Sequence, residues 1–312
     1  MPEINLVKLE GKPFEKLIDV ISKGIGTLYK PRAIRKEAES KAYEIGIIEQ
    51  AKSKALAEGK ELEAQTYLRI QERILFSEVE RQKSIDNVVE IAAEQLKNEK
   101  NISEEPVDKD WSKRFFNIVQ DVSDEEMQTI WGRILAGETK QPNSYSLRTL
   151  EFLKNLSKIE AEIFTKFAEI RLNASDKHFI YNPKNDFLVK EFKISFTDKL
   201  LMVELGLIAS KDNLEFSFGP SKNDNEIHYL NYGEKAIVIF REEKKPKQVL
   251  EVLVFTKIGV ELSKLVPQPF NLNYTELLCS KFKQPNVKIE YGDFLRLPNN
   301  QFRLLNNVKF EK

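Results

Sequence analysis

Two histidines, one cysteine and no net charge leave this chain of 312 residues with few of the groups that most chemistry needs. His178 and His228 have no Cys, His or acid at a repeating ligand spacing, so a metal site built on histidine is not expected. Each lies near a strand-like stretch with aromatic neighbours and reads as a packed or hydrogen-bonded side chain. The single Cys279 excludes an internal disulfide framework and fits a reducing cytoplasm. On the helical stretch YTELLCSKF it reads as a small buried hydrophobe. Lys plus Arg number 49, as do Asp plus Glu, which argues against general coating of nucleic acid, a task for an excess of positive charge. No run approaches the roughly 18 apolar residues of a spanning helix. The opening MPEINLVKLEGKPFEK carries charge throughout and shows no signal pattern.

The usual catalytic signatures are missing too: no serine elbow, no phosphate-binding glycine loop, no H-E-x-x-H. Glu242-x-Lys244 follows a hydrophobic strand, with Asp224 upstream, and superficially resembles the core of a metal-dependent nuclease. Such cores need those groups on paired strand ends, whereas this tripeptide sits in a charged, solvated turn. No catalytic, cofactor-binding or metal-binding residue is therefore assigned, and neither a cofactor nor a small-molecule substrate is identified.

What the chain does have is concentrated in residues 110–156. Ser123 and Glu126 stand at the spacing of a capping box, with Val122 and Met127 placed as a hydrophobic staple. Asp124, Glu125 and Glu126 put negative charge at the positive end of the helix dipole. Met127, Ile130, Trp131, Ile134 and Leu135 form one apolar stripe, and Gly137 is placed to end the helix. A turn follows at Gln141-Pro142-Asn143-Ser144. Leu147, Leu150, Leu153 and Leu156 line the next helix, and Ser157 with Glu160 opens another. Trp111, Phe115 and Phe116 supply a helix before these and, like Trp131, read as core. Glu138, Arg133 and Arg148 stand out as polar residues among this core. They are candidates for a structural ion-pair network or, alternatively, a small anionic-ligand site.

The strings S-D-E-E-M-Q-T-I-W-G-R-I-L-A-G-E and S-L-R-T-L-E-F-L-K-N-L resemble a bacterial family known only as a domain of unknown function, which is similar in turn to the alpha-type abortive-infection proteins. The likeness extends back to Gly26–Arg35 and to Glu80–Ile85, and it thins after about Arg171. It supplies no catalytic residue to carry over. It implies a cytoplasmic bacterial protein encoded near phage-defence genes.

In chain order, residues 1–13 read as a loose arm. Phe14, Leu17, Ile18, Ile21, Ile25 and Leu28 recur at helical spacing, and Lys30, Arg32, Arg35 and Lys36 follow as a basic cluster. An amphipathic helix joined to basic residues suits an anionic membrane surface. The same stripe also suits packing on the protein's own domain or on a partner. Ile21, Ile25, Leu28, Lys30, Arg32, Arg35 and Lys36 are thus candidates for a membrane or partner contact. Residues 33–97 read as long helices broken near Gly59, too polar to fold alone, so self-association is expected there. The more apolar part, Ile74 to Ala92, is expected to join the core. A charged linker, KNEKNISEEPVDKD, follows.

After Arg171 the period shortens. Phe192, Ile194 and Phe196 alternate, as do Leu214, Phe216 and Phe218, which predicts strands. A short helix between them is capped at Thr197 and ended at Gly206. Residues 236–240 and 249–255 are expected to pair as a hairpin around Pro246, with TKIGVELSKLV as the helix after it. That succession resembles a winged-helix module. Its candidate reading helix, however, carries Asp198, Lys199 and Glu204 rather than the Arg, Lys, Asn or Gln row of a DNA reader. The tail adds a helix over 274–282 and strands near 287–291 and 302–305.

The expected fold class is α+β: long N-terminal helices and a central helical module, then a winged-helix-like α+β region. The expected segments are 1–100, 106–172, 173–270 and 271–312. The expected function is that of a non-enzymatic sensor, adaptor or scaffold in a bacterial phage-defence system, acting through itself, a second defence protein or a membrane surface. The alternatives are a winged-helix regulator that binds nucleic acid and a metal-dependent nuclease. The expected setting is the cytoplasm, with a peripheral contact at the inner face of the membrane as a candidate.

Overall fold

The computed structural model describes residues 11–25, 61–174, 176–211, 214–296 and 302–311. It divides into two compact units, Met1–Lys154 and Asn155–Lys312. Among the described residues, no helix is long and apolar enough to cross a membrane.

The first unit is helical. Helix α1 (Lys12–Ile25) buries Phe14, Leu17, Val20 and Ile21. Helix α2 (Glu61–Leu96) runs for 36 residues, about 54 Å. Only its C-terminal part joins the core, through Ile85, Val88, Val89, Ala92, Ala93 and Leu96. Ile74, expected to join it as well, is exposed. Helix α3 (Lys109–Val119) opens on Asp108, whose carboxylate accepts the Trp111 amide at 2.8 Å. Helix α4 (Glu125–Lys140) and helix α5 (Leu147–Lys154) complete the unit. Helix α1 packs on α3, α4 and α2. A side chain at Gly24 would come within 2.2 Å of the Phe116 ring, so glycine is what lets α1 approach α3 this closely.

Two expected helix signals in α4 are not used. The cap is Asp124, which accepts the Met127 amide at 2.8 Å, and not Ser123. Asp is as good a cap as Ser, and starting one residue later still leaves Glu125 and Glu126 in the first turn. Gly137 does not end the helix, which runs on to Lys140. Its missing side chain instead makes room for Tyr145, whose ring would lie 2.9 Å from a Cβ there.

The second unit is α+β, as expected, but its sheet is larger than a wing. Helix α6 (Lys158–Glu169) carries the expected Ser157–Glu160 capping box. It belongs to this unit although the sequence groups it with the central module. Strands β1 (Leu172–Ala174) and β2 (Lys177–Tyr181) lead to helices α7 (Phe187–Phe192) and α8 (Phe196–Glu204). The strand expected over Phe192–Phe196 is therefore absent. Ser195 and Asp198 form a reciprocal capping box at 3.1 and 2.8 Å, and that local chemistry overrides the alternation. It also replaces the expected cap at Thr197. Gly206, at φ +70, ends α8 as expected.

Strands β3 (Glu215–Phe218), β4 (Glu226–Tyr232), β5 (Lys235–Arg241) and β6 (Gln248–Val254) follow, then helices α9 (Lys257–Ser263) and α10 (Leu272–Phe282), then β7 (Val287–Arg296) and β8 (Phe302–Lys309). The eight strands of the described residues form one antiparallel sheet in the order β3-β6-β2-β1-β4-β5-β7-β8. Between α8 with Gly206 and α9 lie the paired strands β3 and β6, with β4 and β5 inserted between them in the chain. The expected β5–β6 hairpin is not formed. Strand β5 pairs with β4 and β7, while β6 pairs with β2 and β3. The tight turn Gly233-Glu234 joins β4 to β5 directly, and the longer charged segment before Gln248 carries the chain to another part of the sheet. Helix α10 buries Tyr274, Leu278, Cys279 and Phe282.

Trp131 is wholly buried and meets Phe115 edge-on at 5.6 Å. Its indole nitrogen has no hydrogen-bond partner among the described residues. Trp131→Ala is expected to cost about 3–5 kcal/mol in urea unfolding. Trp131→Phe is expected to cost clearly less, because it keeps a ring in the cluster and removes the unsatisfied N–H. Equal losses in the two variants would show that the indole N–H is bonded after all.

Candidate functional site

In the first unit the polar residues gather at the turn after α4. Glu138 is 2% exposed. One carboxylate oxygen accepts the Asn143 amide at 2.7 Å and the other the Tyr145 amide at 2.9 Å. Asn143 sits at φ +67, a conformation that asparagine tolerates better than most residues. Tyr145, held in place, accepts the Trp111 indole N–H on its carbonyl at 2.7 Å. Arg133 and Arg148, grouped with Glu138 from the sequence, lie on exposed faces of α4 and α5. The sequence did not single out Lys16. Its ammonium donates to the Ser103 carbonyl at 2.7 Å. Burial lowers its pKa, and the carboxylates of Glu105 and Glu138 oppose that shift. Lys16 has no local signal beyond its place on α1.

Ile21, a candidate membrane contact, is wholly buried within the first unit. It has no surface left to meet lipid, because α1 turns its apolar stripe onto α3 and α4. The side chain of Ile25 and all of Leu28, Lys30, Arg32, Arg35 and Lys36 lie outside the described residues.

In the second unit the most unusual polar group is Arg241, which is wholly buried. Its guanidinium donates to the Gly219 carbonyl at 2.8 Å, the Gln248 side-chain oxygen at 2.9 Å and the Ser221 hydroxyl at 3.3 Å. Gln248 passes the connection on, donating to the Phe282 carbonyl at the end of α10 at 3.1 Å. The Nε of Arg241 has no hydrogen-bond partner among the described residues. Glu226 lies opposite Arg241 across β4 and β5, and its carboxylate stands 3.5 Å from His228 Nε2. His228 stacks on Phe218 at 4.5 Å. These groups tie the loop at 219–221 and the end of α10 to the sheet.

The tripeptide at Glu242 is engaged elsewhere. Glu242 pairs with Lys288, and Asp224 accepts the Lys244 backbone amide at 3.1 Å. Among the described residues, no group of three or more His, Cys, Asp or Glu is placed to hold a metal ion. Cys279 is buried as expected, and burial pushes its thiol up to about 12, far from the thiolate a nucleophile needs. An open cavity of about 600 Å³, not foreseen from the sequence, is lined by residues including Asn182, Lys184, Glu215, Glu251 and Lys281. Glu215 and Glu251 are cross-strand partners, a repulsive arrangement that Lys184 relieves through its ion pair to Glu251 at 2.8 Å.

A model for proteins of unknown function, DUF2806, matches residues 68–279. The chain belongs to the DUF2806 family. No curated protein matches it, and no solved structure does. The DUF2806 match starts within α2, ends within α10 and contains the two strings on which the sequence resemblance rests. It leaves out α1, which covers the helical core, and β7 and β8, which extend the sheet past β5.

Two predictions follow from this polar geometry. Replacing Glu138 by Gln leaves one of the two backbone amides without a carboxylate oxygen, so Glu138→Gln is expected to cost about 1–3 kcal/mol in chemical unfolding. Arg148→Ala is expected to stay within about 0.5 kcal/mol, as an exposed substitution does. The reverse order would place the weight of the motif on the arginine. The histidines supply the second prediction. Burial, aided by Arg241, lowers the pKa of His228, and burial, aided by Arg171 and Lys264, lowers that of His178. The unfolded chain then binds protons that the folded chain refuses. Their contribution is fully present above the ordinary value of 6.5 and declines as the pH falls below it. Melting temperatures between pH 7 and about 5 should fall, and fall less steeply in a His178→Asn/His228→Asn double variant.

Proposed function

We propose that the protein is a non-enzymatic adaptor or scaffold of a bacterial phage-defence system and works through protein–protein contact. One observation supports this above the others. Residues 69–76 of α2 are largely exposed, with Ile70 at 39%, Ile74 at 56% and Phe76 at 68%. Ile70 and Ile74, one helical turn apart on the same face, suit a partner surface. Two deeply buried charged groups are engaged in holding loops: Glu138 the turn at 143–145, Arg241 the loop at 219–221. The defence setting rests on the resemblance of residues 123–138 and 146–156 to a family of unknown function that is similar in turn to the alpha-type abortive-infection proteins. A peripheral contact with anionic lipid remains part of the reading only through Leu28, Lys30, Arg32, Arg35 and Lys36.

The test is a phage challenge of cells carrying the gene and its neighbours. Wild type is expected to protect, and Ile74→Glu to abolish protection while the purified variant melts like wild type. Pure protein incubated with nucleic acids and Mg²⁺ or Mn²⁺ is expected to give no cleavage. Cleavage that disappears in Glu242→Ala would replace the adaptor by a nuclease.

A further inference from the structure

The open cavity of the second unit lies where β2 ends and the chain turns toward α7. Its volume of about 600 Å³ equals that of on the order of 20 waters, which suits a ligand of two or three amino-acid residues better than a single ion. Hydrogen bonds fix its rim at residues 182–185. The Asn182 amide donates to the Glu251 carbonyl at 2.9 Å, and Lys199 of α8 donates to the Asn182 side-chain oxygen at 2.8 Å. The Asn185 side-chain oxygen accepts the Phe187 amide at 3.1 Å. Tyr181, Pro183 and Val249 give the lining its apolar part.

The same lining carries two acids and two bases, and they do not cancel pair by pair. Lys184 binds Glu251 at 2.8 Å. Glu215 stands directly opposite Glu251 across β3 and β6, and one lysine cannot fully neutralise two carboxylates in that register. Glu215 feels Lys184 only at longer range. Lys281 reaches the cavity from α10 and makes no ion pair among the described residues. Glu215 and Lys281 also do not pair with each other, so their charged atoms stand farther apart than the roughly 4 Å of an ion pair. One carboxylate and one ammonium, on separate elements, are thus left open to a ligand.

We propose that this cavity binds a free peptide of two or three residues, its terminal ammonium taken by Glu215 and its terminal carboxylate by Lys281. This goes beyond the adaptor reading and does not rest on it. A diamine would bring one of its charges to Lys281, and a dicarboxylate would bring one to Glu215. A zwitterion answers both groups. Extended, two or three residues set the two charges roughly 7–10 Å apart, which a single amino acid cannot do.

Triglycine, which has no side chain to clash, is the probe. Its binding to the full chain is measured by calorimetry at millimolar peptide, beside N-acetylated triglycine and triglycine amide. Wild type is expected to bind triglycine, and blocking either terminus to weaken binding about tenfold or more through loss of one charge-assisted contact. In Glu215→Gln, acetylation is expected to make no further difference while amidation still does. In Lys281→Gln the pattern reverses. Both side chains are exposed, so both variants are expected to melt like wild type. Because each variant is compared with itself across the three peptides, a change in its stability does not blur the result. Absence of triglycine binding overturns the proposal, as does equal binding of the three peptides by wild type. Discrimination that survives unchanged in both variants overturns it too, since the peptide then sits elsewhere.

Discussion

A buried carboxylate is tolerated only where hydrogen bonds replace its water, and the first unit is built around one that meets this condition. Glu138 takes the amides of Asn143 and Tyr145 and so sets the path of the turn. The turn sets Tyr145, whose ring fills the space over Gly137 and whose carbonyl receives the Trp111 indole. Trp111 stacks on Phe115 at 5.0 Å, and Phe115 meets both Phe116 and Trp131 edge-on. Phe116 in turn lies against Gly24 of α1. The geometry of α1, α3 and α4 thus depends on one acid near the C-terminal end of α4 and the turn that it holds. Its neighbour Lys16 supplies positive charge from α1, which gives that helix an electrostatic reason to dock as well as an apolar one.

The second unit reaches a similar end with the opposite charge. Arg241 is buried with its hydrogen bonds going to neutral acceptors, two of them from loop residues 219 and 221. Gln248 relays the connection to the last carbonyl of α10, and carbonyls at a helix C-terminus carry partial negative charge. The Glu226 carboxylate stabilises a cation that burial disfavours. In both units a deep charge fixes a loop. This is why the presence of Glu, Arg and His in apolar surroundings does not by itself indicate catalysis in this chain.

The parts of the fold that were legible in the sequence are those determined within a few residues. The Ser157–Glu160 box, the left-handed Gly206 and the helix around Cys279 depend on neighbours along the chain, and each stands where the sequence puts it. The choice between Ser123 and Asp124 as a cap was not legible, since both are competent and adjacent. Gly137 carries a stop signal, but its role is set by Tyr145 across a turn. Strand partners are chosen by the whole sheet, so β5 and β6 could each be seen while their pairing could not. Strand β4 escaped notice because Glu226, His228, Asn231 and Leu230 mix polar and apolar residues on both faces. Of the site, Glu138 was recognisable as polar within an apolar motif. Arg241 was not, because nothing near a strand end reports that the loop at 219–221 and the Gln248 side chain will close over it.

The exposed stretch of α2 around Ile70 and Ile74 is a different kind of statement, because it is legible in both sequence and structure and the two disagree about it. A helix derives most of its stability from burying its stripe. In α2 the stripe from Ile85 to Leu96 is buried in the first unit, and its continuation at Ile70 and Ile74 is not. An extension with no function would be expected to turn polar on all sides beyond the last contact. Here it keeps isoleucine at core positions while Arg73, Glu78 and Glu80 keep the rest soluble. The DUF2806 match begins at residue 68, so this uncovered stretch lies inside the family region and not before it. The exposed face thus belongs to what the family model describes, alongside the buried acid and the aromatic cluster.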